Sequence, residues 1–168
     1  MRDIILIGMP GSGKTTVARL LARRLNRPFV DVDAEIVRYA KKSIADIFAD
    51  EKEEGFRKIE TRVFEDCVRG GRVIATGGGI VTRKENEIIA KRGQIVFLNR
   101  PLEEIFKDVD TNTRPLLADG KERLYQLYEA RYPQYCAWAS VRIDGVMRPE
   151  ETVEKILQEV ADHENYGD

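Results

Sequence analysis

Gly8-Met9-Pro10-Gly11-Ser12-Gly13-Lys14-Thr15 fits G-x-x-x-x-G-K-[ST], a glycine-rich turn that carries backbone N–H groups toward phosphate oxygens. Its surroundings meet the pattern's structural requirement. Asp3-Ile4-Ile5-Leu6-Ile7 precedes it, a short apolar run that reads as a strand buried on both faces. Thr16 to Leu25 follows, with apolar residues at 17, 18, 20, 21, 22 and 25 on a helical stripe and arginines mostly opposite. Gly11 and Gly13 have no Cβ to hold the chain away from a phosphate. The helix that starts near Lys14 points its positive dipole end at the same place. Lys14 is expected to reach the β- and γ-phosphates, and the Thr15 hydroxyl to hold Mg²⁺. The expected nucleotide set is Gly11, Ser12, Gly13, Lys14, Thr15 and Thr16. An ordinary glycine-rich strand-to-helix turn would leave the lysine and threonine unexplained.

The remaining chain is consistent with one domain of 168 residues and one core. Its net charge of −1 argues against general nucleic-acid binding, which needs a basic surplus. No apolar run approaches the ~20 residues of a membrane span. The N-terminus runs directly into the first strand, so no signal or transit peptide is expected and the protein reads as cytoplasmic. Cys67 and Cys136 form no metal-spacing motif and read as two free thiols.

Four more strands are expected. Phe29-Val30-Asp31-Val32-Asp33 alternates and ends in two carboxylates, placed on one side of the strand and beside the phosphate loop, where ligands of open α/β sheets gather. Either aspartate also suits a helix N-cap. Residues 34–69 read as helix in two or three pieces, with Ser43 capping and Asp46 three residues on. Arg57 and Glu60, three apart, can touch on one helix face. Arg72 to Thr76 is the third strand and runs into Gly77-Gly78-Gly79, which lets backbone amides approach a ligand closely. A helix over 82–92 ends with Gly93 as its C′ residue, and Gln94 to Leu98 is the fourth strand. Pro101 opens a further helix. Residues 109–115 read as a mobile loop carrying Arg114. Lys121 to Tyr132 is helical and stops at Pro133, Trp138 reads as a packing residue, and Val141 to Asp144 is the last strand. A helix opening at Pro149 follows. Strands alternating with helices imply a three-layer α/β/α fold with a five-stranded parallel sheet.

Taken as an ordered set, these stretches resemble a shikimate kinase over residues 3 to about 160. They are the phosphate loop, Phe29-Val30-Asp31-Val32-Asp33, Ser43-Ile44 with Ile47-Phe48, and Phe56-Arg57-Lys58-Ile59-Glu60. Gly77-Gly78-Gly79, Arg114-Pro115-Leu116-Leu117 and Arg131-Tyr132-Pro133-Gln134-Tyr135 complete it. The resemblance implies transfer of the γ-phosphoryl of ATP to the 3-hydroxyl of shikimate with Mg²⁺, in the route to aromatic amino acids. It implies a fold like the nucleoside monophosphate kinases with strand order 2-3-1-4-5, an acceptor-binding region at about 33–61 and a lid at about 108–120. By the same resemblance Asp33 binds the shikimate hydroxyls and acts on the attacking one, and Arg57 and Arg131 hold the carboxylate. Gly79 binds through backbone, and Gly77 and Gly78 lie near the γ-phosphate where other P-loop enzymes carry an Asp. Glu60 fixes Arg57 from behind. Asp31 acts near Mg²⁺ through water, Arg114 descends on the phosphates, and Arg148 with Pro149 borders the adenine. Lys14, Asp33 and Arg114 form the expected catalytic set, and a monomer is expected.

The chain departs from the family pattern at a few positions. Lys41 and Lys52 stand where members often carry glycine, so the turns near the acceptor are expected to differ. Lys107 stands where many members have an adenine-stacking arginine, and Ala137 replaces a common glutamate. Two other readings remain: a kinase for another hydroxylated acid such as gluconate or for a nucleotide, and a nucleotide-gated binding module.

Overall fold

Ile4–Ile7 is buried along its whole length and forms β1, the central strand of the sheet. A computed structural model describes residues 1–111 and 118–165. The other strands are β2 (Phe29–Asp31), β3 (Val73–Ala75), β4 (Gln94–Asn99) and β5 (Val141–Asp144). They lie in the order β2-β3-β1-β4-β5 with every pairing parallel. The helices are α1 (Lys14–Leu25), α2 (Val32–Ala40), α3 (Ile44–Cys67), α4 (Lys84–Ala90), α5 (Leu102–Thr111), α6 (Ala118–Trp138) and α7 (Pro149–Asn165).

Strand alternation divides the core into two layers. Ile4 and Leu6 of β1 pack with Val17 and Leu21 of α1 and Val153 and Ile156 of α7. Ile5 and Ile7 face the other way, toward α2 to α6, with Ile36, Phe64, Ile105 and Tyr135 fully buried there. This is the expected three-layer fold, and the strand order also agrees. After β1 the chain moves to one side, to β2 and β3, then crosses to β4 and β5. The carboxyl end of β1 is therefore the switch point where the sheet opens a crevice.

Local details differ from the sequence reading, each for a physical reason. β2 stops at Asp31, and Asp33 lies in the first turn of α2 instead of ending the strand. Asp31 Oδ1 accepts from Asp33 N at 3.0 Å and Ala34 N at 3.4 Å, and this cap starts the helix early. A 3₁₀ turn at Ile80–Thr82 precedes α4, which is shorter than the expected 82–92 helix and ends at Ala90. Gly93 is thus not its C′ residue; a Cβ there would stand 2.9 Å from Asp3 O and 2.8 Å from Ile5 Cδ1, so glycine serves close packing. α6 runs through Pro133 to Trp138, because Leu124, Tyr135 and Trp138 bury one continuous face. That burial outweighs the missing proline N–H. α5 reaches Thr111, so residues 109–111 are helical where a loop was expected. Ser43 caps α3 as read, its Oγ accepting from Asp46 N at 3.1 Å.

Lys41 (φ 57°, ψ 31°) ends α2, and Lys52 (φ 62°, ψ −178°) breaks α3 into two pieces. Both turns thus place a lysine at positive φ, which glycine adopts more easily. Lys52 lies in a region that glycine alone enters freely, at a cost of about 1–3 kcal/mol for other residues. Glycine adds about 0.5–1 kcal/mol of unfolded-chain entropy in return. Lys52→Gly is accordingly expected to stabilise the protein by about 1 kcal/mol, or roughly 2–4 °C in Tm. Thermal denaturation checks this. An unchanged or lower Tm would mean that the Lys52 Nζ bond to Ala49 O (3.2 Å) offsets the backbone cost.

Candidate active site

The loop between β1 and α1 holds the expected geometry. Gly11 (φ 79°) and Gly13 (φ 88°) take left-handed conformations, and Gly13 caps α1. Lys14 is buried and folded back on its own loop, donating to Gly8 O at 2.7 Å and Met9 O at 2.8 Å. Ser12 Oγ lies 3.4 Å from the same ammonium. Burial lowers the Lys14 pKa to about 8; Asp33 opposes that shift, Arg131 adds to it, and Asp31 opposes it. Thr15 Oγ1 donates to Asp31 Oδ2 at 3.5 Å. A hydroxyl and a carboxylate so placed are hard oxygen donors of the kind Mg²⁺ accepts while keeping most of its waters.

On one side of this loop, at the carboxyl ends of β2 and β3, the acceptor candidates converge. Glu60 is 1% exposed and accepts from Arg57 Nη1 at 2.9 Å. Glu53 Oε1 lies 3.6 Å from Arg57 Nη2, and Arg57 Nε is buried with no partner. The glycine run makes this packing possible. A Cβ on Gly79 would overlap the Arg57 guanidinium, and one on Gly77 would stand 3.1 Å from Asp33 Oδ1 and 3.3 Å from Glu60 Oε2. Gly78 lies against the ring of Pro10. Thr82 Oγ1 donates to Gly79 O at 2.7 Å, and Asn86 Nδ2 donates to Ile80 O at 2.9 Å, so the turn beyond is held too.

The electrostatics are those of a crowded, partly dry site. Burial raises the Asp33 pKa and Asp31 adds to it, while Lys14 and Arg57 oppose. Burial likewise raises the Glu60 pKa, against the charge and hydrogen bond of Arg57. Arg131 acts on Lys14, Glu60 and Tyr135 together, which places its charge in the same cluster. Lys14, Asp33, Arg57, Glu60, Gly79 and Arg131 are thus brought together from five separate segments.

On the other side, at the carboxyl ends of β4 and β5, a cavity of about 270 Å³ opens beside the phosphate loop. Ser12, Gly13 and Thr16 line it from the loop, Arg100 from the end of β4, and Met147 and Pro149 from the connection to α7. Arg148 itself turns outward, its Nε 2.8 Å from Glu151 Oε1. Lys107 pairs with Glu104 at 2.9 Å. Arg100 was not singled out in the sequence, yet its Nη1 donates to Gly11 O at 3.0 Å and to Asp108 Oδ2 at 2.6 Å. The available signal was a basic residue just past a strand's carboxyl end. Arg114 and the rest of residues 112–117 of the expected lid lie outside the described residues.

Comparison with known proteins converges on one group. The shikimate kinase family profile matches residues 10–161. A shikimate kinase of Clostridium beijerinckii is 38% identical, covering 94% of this chain and 91% of its own. The solved structure of shikimate kinase from Acinetobacter baumannii in complex with shikimate superposes with a TM-score of 0.90 at 36% identity, covering 97% of this chain and 94% of that one. A gluconokinase from Sinorhizobium meliloti superposes with a TM-score of 0.63 at 15% identity, covering 96% of this chain and 92% of that one, and shares the fold alone.

Proposed function

The chain belongs to the shikimate kinase family, and from that we infer an enzyme that moves the γ-phosphoryl of ATP to the 3-hydroxyl of shikimate. The products are shikimate 3-phosphate and ADP. One observation carries the assignment of the acceptor side: Arg57 is fixed from behind by buried Glu60 and set against Gly79. A guanidinium held in this way suits a carboxylate, whose two oxygens match paired N–H donors. Arg131 supplies the second positive charge for the same carboxylate. Asp33 orients the acceptor hydroxyls and takes the proton of the attacking one. Gly79 contacts the acceptor through its backbone, and Gly77 and Gly78 leave room for the transferring phosphate.

Lys14 exchanges the Gly8 and Met9 carbonyls for the β- and γ-phosphates, and Gly11, Ser12, Gly13 and Thr16 hold the phosphate chain from the loop and helix start. Arg148 borders the adenine from the rim. Arg114, from the lid, adds positive charge to the phosphates. Thr15, and Asp31 through water, would hold Mg²⁺, which would supply positive charge to offset that of the phosphates. Phosphoryl transfer asks the protein for positioning and charge, not covalent help.

One chain supplies every group named, so the site needs no second copy, in keeping with a monomer. No described helix is long and apolar enough to cross a membrane. Two free thiols and the use of ATP suit the cytoplasm. A coupled ADP-release assay with purified enzyme tests the reading. ADP is expected with shikimate and Mg²⁺–ATP, and not with gluconate or AMP. Turnover with gluconate instead of shikimate would move the assignment to another acid, and ATP binding without turnover on any acceptor would favour a binding module.

A further inference from the structure

Tyr135 has the largest fully buried side chain of the core, yet it ends in a polar group. A phenol in that position needs a partner, and this one has two polar neighbours. Its hydroxyl donates to Gly78 O at 2.5 Å and lies 3.9 Å from Met9 Sδ. No other hydrogen bond to Gly78 O occurs among the described residues. The charge of Arg131 acts on the same phenol. Arg131 precedes Tyr135 by four residues on α6, so both share one helix face. The ring is stacked on Phe97 of β4, with centroids 5.0 Å apart. One side chain therefore touches α6, the glycine run, the phosphate loop and the sheet.

We propose that the Tyr135 hydroxyl is a positioning group that sets Arg131 and the Gly77–Gly79 run in register, and so fixes where the acceptor carboxylate sits relative to the phosphate loop. The proposal rests on Arg131 and Gly79 binding the acceptor.

The physical need is specific. Gly78 sits between Gly77, which abuts Asp33 and Glu60, and Gly79, which abuts Arg57. Three successive glycines have wide backbone freedom. Pinning the central carbonyl removes that freedom from both neighbours at once. Arg131 stands one helical turn before Tyr135 on the same face of α6, so the helix that carries the arginine is tied to the glycine run at this one point. Burial pushes the phenol up to about 12, so it keeps its proton and remains a donor at neutral pH. Phenylalanine would keep the ring contacts, so packing alone does not explain the hydroxyl.

The test compares Tyr135→Phe with Arg131→Ala in the full chain, measuring Tm, kcat and both KM values. Tyr135→Phe is expected to raise the shikimate KM about 3- to 10-fold, the scale of one buried hydrogen bond. The ATP KM is expected to stay within about twofold. Arg131→Ala is expected to raise the shikimate KM further. A merely structural tyrosine would lower Tm and leave both KM values unchanged, and that result overturns the proposal. If Arg131→Ala raises the shikimate KM while Tyr135→Phe does not, the positioning role fails and the arginine's role stands. If Arg131→Ala changes neither KM, the carboxylate assignment fails and takes this proposal with it.

Discussion

Asp33→Asn is expected to lower kcat by about 10²- to 10⁴-fold, the range for a lost general base. ATP affinity is expected to change by less than about twofold, because the nucleotide is held from other elements. Asp33 stands in the first turn of α2 because Asp31 caps that helix and holds the Asp33 N–H at 3.0 Å. Its carboxylate faces Gly77, with the charges of Lys14 and Arg57 acting on it. Asparagine keeps the size and one acceptor oxygen, but it can neither take a proton nor offset Lys14. The substitution thus separates orientation from proton transfer. A loss of tenfold or less, with the shikimate KM raised in proportion, would reduce Asp33 to a hydroxyl-orienting residue. Normal turnover would remove it from the reaction. Single-turnover measurement keeps product release from masking the chemical step.

How much of this was legible in the chain depends on how local each feature is. The phosphate loop was readable because eight consecutive residues contain both the turn and the chemistry. The sheet followed from five short apolar runs, each bounded by turn residues. Arg57 and Glu60 were readable as a possible pair from their spacing, but spacing does not say whether a pair is dry. Glu60 is buried because Gly77 and Gly79, about twenty residues later, let β3's end close over it. Such long-range burial leaves no local mark. The same holds for Tyr135, which reads as the last residue of a motif until Gly78 O is found against its hydroxyl. Arg100 was hidden for another reason: an arginine before proline looks like a solvated loop residue, and only the fold brings Gly11 O to it. The early start of α2 and the passage of α6 through Pro133 were decided by capping and by core burial. In both cases these outweigh residue preference.

Lys14→Met should produce the second large effect, and it should act in opposite directions on function and stability. Loss of this ammonium is expected to lower kcat by about 10²- to 10³-fold or more, the scale of one preorganised charge in a transition-state cradle. Stability should rise, because in the free protein this ammonium is buried and its pKa falls from 10.5 to about 8. That difference corresponds to about 3 kcal/mol against the charged form. Water entering the phosphate cradle can replace its bonds to the Gly8 and Met9 carbonyls, so part of this should appear as a higher Tm. The pH dependence follows from the direction of the shift. Below about pH 8 the lysine is protonated both folded and unfolded, and the burial penalty is fully present. Between about 8 and 10.5 the unfolded chain binds more proton than the folded one, so stability rises with pH through that window. Above it the penalty is gone. The Tm advantage of Lys14→Met over the parent, measured without nucleotide or Mg²⁺, should therefore be largest below pH 8 and shrink toward pH 10.5. Groups that Lys14 does not touch cancel in that difference; Asp33, whose pKa Lys14 lowers, does not. A Tm difference of the same size at every pH would mean that the methionine acts through packing alone. A variant less stable than the parent at neutral pH would mean that the two carbonyl bonds outweigh the buried charge, and the folded-back lysine would then be a structural brace as well as a phosphate ligand.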